Sequence, residues 1–281
     1  MSSFALKEVV LAGLLAAAPI ASAMAQQAAA PPDFSSNLAG WVGLNGGGPF
    51  YEPVPGIPGR LSPVVSDPAH PFTPNGVDKQ PTFRIADLSN PNLKPWVKVH
   101  MKKDIDEILA GKKSAFTPQS SCVPAGVPFF MGYGGPDPLV FLQTPKEVWI
   151  VWREDNQARR IYMDVPHSAN LKPSWYGESV GHYEGDTLVV DTIGLNDKTV
   201  VDVYRTPHTE KLHVVERWRM VDAGKAMEVI FTVDDPDAFY QLWTGKRRYR
   251  RVEQEAYEKI CAENNTNLFD YHMPTAEKPD F

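Results

Sequence analysis

Four stretches between residues 139 and 252 place apolar side chains at every second position, each bounded by polar or glycine-bearing residues. A period of two sends successive side chains to opposite faces of an extended strand, so such a segment buries one face and presents the other. Val148, Ile150 and Trp152 share a face, Glu154-Asp155-Asn156-Gln157 reads as a turn, and residues 159–163 return, which predicts a hairpin. Residues 180–183 and 187–193 flank Glu184-Gly185-Asp186 as a second hairpin. Residues 212–221 and 226–233 flank Asp222-Ala223-Gly224-Lys225 as a third, and 243–252 continues as a further strand. Seven or eight strands joined in this way predict a mainly β fold, an antiparallel up-and-down barrel or a strongly curved sheet. No strand–helix–strand alternation occurs, which argues against a parallel nucleotide-binding sheet, and no internal repeat is present.

The first part of the chain follows other rules. Lys7, an apolar run over residues 9–20 and the small-residue stretch ending Ala23-Met24-Ala25 match a cleavable signal peptide over residues 1–25. This predicts a periplasmic or secreted protein. In an oxidising compartment Cys122 and Cys261 are expected to pair, closing a loop worth about 4–5 kcal/mol in the chain-entropy model. Residues 26–94 are dense in Pro and Gly, which deprives helices and central strands of amide donors and rigidity. They are expected to form an irregular arm, with Trp41, Phe50, Tyr51, Phe72 and Phe83 holding it against the core. Residues 95–137 are read as a helix and linker: Pro95 suits a first turn, apolar residues recur at three and four up to Leu109, and Gly111 suits the stop. Residues 138–255 form the barrel, and 256–281 a C-terminal segment.

Charge and motif spacing narrow the chemistry. A net charge of -6 argues against a nucleic-acid partner, and the basic run Lys246-Arg247-Arg248-Tyr249-Arg250-Arg251 alternates like a solvated strand edge. No run is long enough to span a bilayer, so no stable membrane insertion is expected. Phosphate loops, dinucleotide fingerprints and zinc spacings such as H-E-x-x-H are absent, so no cofactor and no metal are assigned. Residues Gly177-Glu178-Ser179-Val180-Gly181 do read G-x-S-x-G. A nucleophile elbow needs a helix after the serine, however, and a strand pattern follows here, so Ser179 is read as a strand-edge residue.

The runs Gln143-Thr144-Pro145-Lys146-Glu147-Val148, Arg159-Arg160-Ile161-Tyr162-Met163-Asp164 with Pro166-His167, Gly181-His182-Tyr183-Glu184-Gly185-Asp186-Thr187-Leu188-Val189-Val190, Asn196-Asp197-Lys198-Thr199 and Pro207-His208 carry a resemblance. The stretch from Cys122 to Cys261 resembles a family of exported bacterial proteins of uncharacterised function whose barrel is lipocalin-like. The resemblance implies a calycin-type cup with a central cavity and transfers no catalytic residues. Val165 stands where that pattern more usually has Gly, and His182 where it has Arg.

Within such a cup, Leu212, Val214, Glu216, Trp218 and Met220 share one face. If that face points inward, Glu216 is a carboxylate in apolar surroundings, poised as a general acid or base. Alternatively it is half of a buried ion pair, with Arg160 as partner. A second group lies in loops: Asp164 and His167, Asn196, Asp197 and Asp202, and His208. Loops on a rigid scaffold commonly carry catalytic groups. The expectation is a cofactor-independent enzyme of the lyase, hydratase or isomerase kind acting on a small hydrophobic or aromatic molecule. Glu216, His208, His167 and Asp197 are its acid–base candidates, with Arg160, Tyr162, Trp175 and Trp218 contacting substrate. A periplasmic binding or carrier protein using the same cavity without turnover is the rival, and an envelope protein whose Pro-rich arm docks a partner is a third possibility.

Overall fold

A computed structural model describes residues 30–35, 40–44, 51–57, 60–71, 84–113, 115, 118, 122–132, 138–152 and 157–253. The signal-like residues 1–25, Phe50, Phe72, Phe83 and Cys261, and with Cys261 the expected disulfide, lie outside these. In chain order the elements are β1 (Gly40–Gly43), β2 (Glu52–Pro53), α1 (Pro95–Leu109), α2 (Phe129–Gly132), β3 (Leu139–Gln143), β4 (Glu147–Trp152), β5 (Gln157–Met163), β6 (Glu178–Glu184), β7 (Thr187–Ile193), β8 (His213–Val221), β9 (Ala226–Asp234) and β10 (Trp243–Val252). None of the described helices is long and apolar enough to cross a membrane.

Among the described residues, nine strands close into a barrel in the order β1-β3-β4-β5-β6-β7-β8-β9-β10, with β10 pairing back onto β1; β2 adds to the edge of β10 beside β1. The expected hairpins β4–β5, β6–β7 and β8–β9 form. Two features correct the up-and-down expectation. First, β5 and β6 run parallel, with Ile161 opposite Ser179 and Met163 opposite Gly181, because residues 164–177 cross back instead of turning. The barrel is therefore mixed. Second, the Pro/Gly-rich arm contributes a central strand. In β1, Gly40 to Gly43 pair with Val252 to Tyr249 and Trp41 also pairs with Leu139. The two glycines are tolerated because neighbouring strands supply partners on both sides and Trp41, 1% exposed, anchors the segment in the core.

Other described residues of the arm bond to the barrel wall. Gln143 accepts from the backbone N–H of Phe34 and Ser35 and donates to the Pro32 carbonyl and Tyr183 hydroxyl. The helix α1 has the predicted bounds and buries Val97, Met101, Ile105 and Ile108, spaced four, four and three. Gly111 follows at a φ of 68°.

Inward positions are filled by large side chains. Phe34, Phe141, Trp218 and Tyr249 form one chain of ring contacts at 5.4, 5.4 and 5.8 Å. Tyr51, Phe231, Trp243 and Phe239 form another at 4.6, 5.8 and 6.0 Å. The short helix α2, wholly buried, is tied to this interior by the Tyr249 hydroxyl donating to the Met131 carbonyl and the Tyr51 hydroxyl to the Pro128 carbonyl. The basic run is not a strand edge: β10 is paired on both sides, and Arg247, 2% exposed, points inward with Tyr249, while Arg250 and Arg251 are exposed.

Candidate functional site

The parity of β8 places Glu216 inside the barrel, fully buried, as its apolar neighbours require. Its partner is Arg159, not Arg160. In β5 the apolar residues Ile161 and Met163 face inward, and a period of two carries Arg159 with them and Arg160 to the outside. Arg159 donates through Nη1 to Glu216 Oε2 at 2.9 Å and through Nη2 to Oε1 at 2.7 Å. Its remaining donors reach Ser179 Oγ at 3.0 and 3.2 Å and Thr192 Oγ1 at 2.7 Å. Trp218 Nε1 donates to Glu216 Oε2 at 2.8 Å. Both charges are thus matched without a proton-exchanging neighbour. Ser179 is spent in this network on β6, in the middle of a barrel wall and not on an elbow.

His208 is also enclosed, at 3% exposure. Its Nδ1 donates to the Thr209 carbonyl at 3.0 Å, which leaves Nε2 to accept from the Thr199 hydroxyl at 2.7 Å. Burial holds its pKa below the ordinary value, against the Thr209 bond and the charges of Asp235 and Asp197. Asp197 itself is exposed, and Asn196 Oδ1 accepts from the Lys198 N–H in a local turn. Lys198 lies over the half-buried Trp175, 5.9 Å from the ring centroid, so Trp175, Asp197 and His208 belong to one rim. On the outer wall, Arg160 is paired with Glu147 at 2.7 Å and stands 4.4 Å from the ring centroid of Tyr162 and 5.5 Å from that of Trp149. Trp218 is in the core. The eight residues expected to share one cavity are therefore distributed over the interior, one rim and the outer wall.

His167 stands in a cluster of accessible ionisable groups that holds a second imidazole, on the outer face where β6, β7 and β8 adjoin. Its Nδ1 lies 3.1 Å from Glu178 Oε1 and its Nε2 2.9 Å from Asp191 Oδ1. His213 Nε2 lies 3.1 Å from each oxygen of the same Asp191. Side-chain exposures of 21% for His167 and 39% for Asp191 and His213 leave the group open to a ligand. Glu178 also accepts from the backbone N–H and hydroxyl of Ser168. The hydrogen bond from His213, then that from His167, holds the Asp191 carboxyl below its ordinary range against its partial burial. Burial pushes Glu178 up, but its bonds to Ser168 and His167 outweigh this and lower it. The bond to Asp191 raises His213, with Asp191 and Asp234 adding charge attraction against burial. Among the described residues no group of three or more His, Cys, Asp or Glu side chains is arranged to hold a metal ion.

Asp191 and His213 escaped the sequence reading because they become neighbours only through strand register. Asp191 sits opposite Val180 of β6 and Val215 of β8, and His213 lies diagonally two residues away. Both occupy outward positions beside apolar residues, Val189 and Ile193 on β7 and Val215 on β8, which was the available signal. The loop that brings His167 and Glu178 to them is set by Gly177. With a φ of 60°, it lets the chain pass so close to β7 that a Cβ would sit 2.3 Å from the Ile193 carbonyl oxygen. Gly177→Ala is expected to cost about 2–4 kcal/mol, from the left-handed backbone and the forced displacement together. Urea denaturation checks this, and an unchanged midpoint would contradict it.

No protein-family model, curated protein or solved structure matches the chain.

Proposed function

We propose that the chain is an exported, cofactor-independent acid–base enzyme of the lyase, hydratase or isomerase kind, with its proton-transfer groups on the outer wall instead of inside the barrel. The observation that carries this reading is that two accessible imidazoles, His167 and His213, hydrogen-bond to one carboxylate, Asp191. A carboxylate bonded to an imidazole orients the ring and stabilises the imidazolium that forms on proton uptake. The interior alternatives, Glu216 and His208, have their polar atoms already paired. A small hydrophobic or aromatic substrate suits the half-buried Val180 and Val215 flanking Asp191.

The test is a panel of unsaturated and hydroxylated aromatic and terpenoid-like compounds incubated with the mature protein in deuterated water, with label uptake followed by mass spectrometry. Turnover by the natural protein with a loss of about 100-fold or more in Asp191→Asn is expected. Undiminished turnover in Asp191→Asn would overturn the assignment. Retention of a hydrophobic ligand in native mass spectra, with no turnover, would favour a periplasmic carrier.

A further inference from the structure

The two imidazoles of the cluster are not equivalent. His167 has Glu178 at Nδ1 and Asp191 at Nε2, so neither ring nitrogen faces outward unengaged. His208 has both nitrogens bonded and is buried. Among the described residues His182 bonds through Nε2 to Glu184, whose carboxylate is about half exposed and shared with Arg217. His213 shares with His182 a ring engaged through Nε2 alone, and differs from it in that its carboxylate is also held by a second imidazole, His167. It engages Asp191 through Nε2 alone, and among the described residues nothing bonds to its Nδ1.

Donor counting fixes the tautomer. An ionised carboxylate can only accept, so Nε2 of His213 carries the N–H that points at Asp191. In the neutral ring the lone pair then resides on Nδ1. The carboxylate that imposes this is itself held from the other side by His167, which Glu178 and the crossover loop keep in place. The groups facing His213 are Asp191 of β7, Asp234 directly opposite on β9, and His167 of the loop. Apart from imidazoles the surroundings are carboxylates, which favours a neutral or cationic substrate over an anionic one.

Resting on the acid–base reading above, we infer that His213 is the catalytic base, acting through Nδ1 on a neutral substrate, and that Asp191 and His167 are positioning residues. The step is a proton transfer. A substrate C–H or O–H bond breaks with its electron pair left on the substrate, and the proton forms an N–H bond at Nδ1. The resulting imidazolium, paired with Asp191, returns the proton to another atom of the same substrate or to a leaving group. Nothing is oxidised, and no co-reactant is consumed.

Two measurements on the mature protein test this separately from turnover. Carbethoxylation by diethyl pyrocarbonate at pH 8, read by peptide mass spectrometry, is expected to label His213 at least ten-fold faster than His167 or His208. Nitrogen-15 NMR of histidine-labelled protein is expected to show neutral His213 as the Nε2–H tautomer. In Asp191→Asn its pKa falls, whereas Asp191→Glu restores it in part. With a substrate in hand, His213→Asn loses at least 100-fold in kcat. His167→Asn loses less and shifts the pH profile. Labelling of His167 as fast as His213, or an Nδ1–H tautomer, overturns the inference whatever the activity. His213-selective labelling in a protein that turns over nothing sinks the enzyme reading while leaving the ranking of the imidazoles intact.

Discussion

Glu216→Gln is expected to lower stability by about 3–5 kcal/mol, because it leaves the Arg159 guanidinium buried with no counter-charge. Both side chains are completely enclosed and joined by two hydrogen bonds, at 2.7 and 2.9 Å. Neither can turn to water when the other is neutralised. For a chain of this size the loss corresponds to a fall in Tm on the order of 10 °C. Arg159→Met alone should cost a comparable amount, since it strands the carboxylate. The double variant Arg159→Met with Glu216→Leu should recover most of the loss. An apolar pair of similar volume has no desolvation cost, and Ser179 and Thr192 already bond each other at 2.9 Å. A urea-denaturation cycle over the four proteins checks this. A single-variant cost below about 1 kcal/mol, or a double variant no better than the sum, would refute the ion pair as a cooperative unit. The same cycle separates structure from catalysis: a working acid or base at Glu216 would lose turnover without losing its fold.

The second large effect concerns Asp202, which should be more stable replaced than retained. It lies in the loop before β8, 3% exposed, and accepts from the Tyr204 N–H at 2.9 Å, the Thr206 N–H at 3.2 Å and the Thr206 hydroxyl at 2.8 Å. All three donors are neutral. Burial therefore dominates over these bonds and raises its pKa from 3.8 to about 6. A carboxyl whose folded value exceeds its unfolded one binds its proton more tightly when folded. Its contribution is complete below the unfolded value and is lost as pH rises through the folded one. The native protein should thus lose about 3 kcal/mol between pH 4 and pH 7 from this group. Asp202→Asn removes the titration and keeps the contacts, since Oδ1 still accepts from both amides and the Thr206 hydroxyl can accept from Nδ2. A variant more stable than the natural protein at pH 7.5 by about 1–3 kcal/mol, with a flatter pH profile, is expected in denaturation melts. Equal pH slopes for the two proteins would show that Asp202 ionises as an ordinary surface carboxyl does.

What the sequence disclosed and what it withheld follow from the range of the interactions concerned. The hairpins and the helix from Pro95 to Leu109 depend on neighbours within a few residues, so periodicity and turn chemistry were enough. The parallel pairing of β5 with β6 and the closure by β1 depend on which edges meet in space, which no local pattern specifies. Gly40 and Gly43 even argue locally against a strand. The inward course of β8 was legible from Leu212, Val214 and Trp218, and Glu216 followed from it. The same reasoning applied to Ile161 and Met163 selects Arg159 over Arg160, so that partner was legible too, through the parity of β5. His167 was recognisable as chemistry without a setting. Asp191 and His213 supplied the setting, and they required the register of β7 on β8.

The seam of the barrel has a consequence for how the molecule is born. Gly40–Gly43 and the last residues of β10 close the ring, so the pairing that abolishes both free edges joins two distant parts of the chain. Until β10 is available, β1 and β9 remain unpaired rims, able to add a strand from any passing chain. Ring closure is therefore the most non-local strand pairing among the described residues, and contacts of such separation form slowly. With the lock in the last of the described strands, the chain becomes a closed barrel only after the whole wall has arrived.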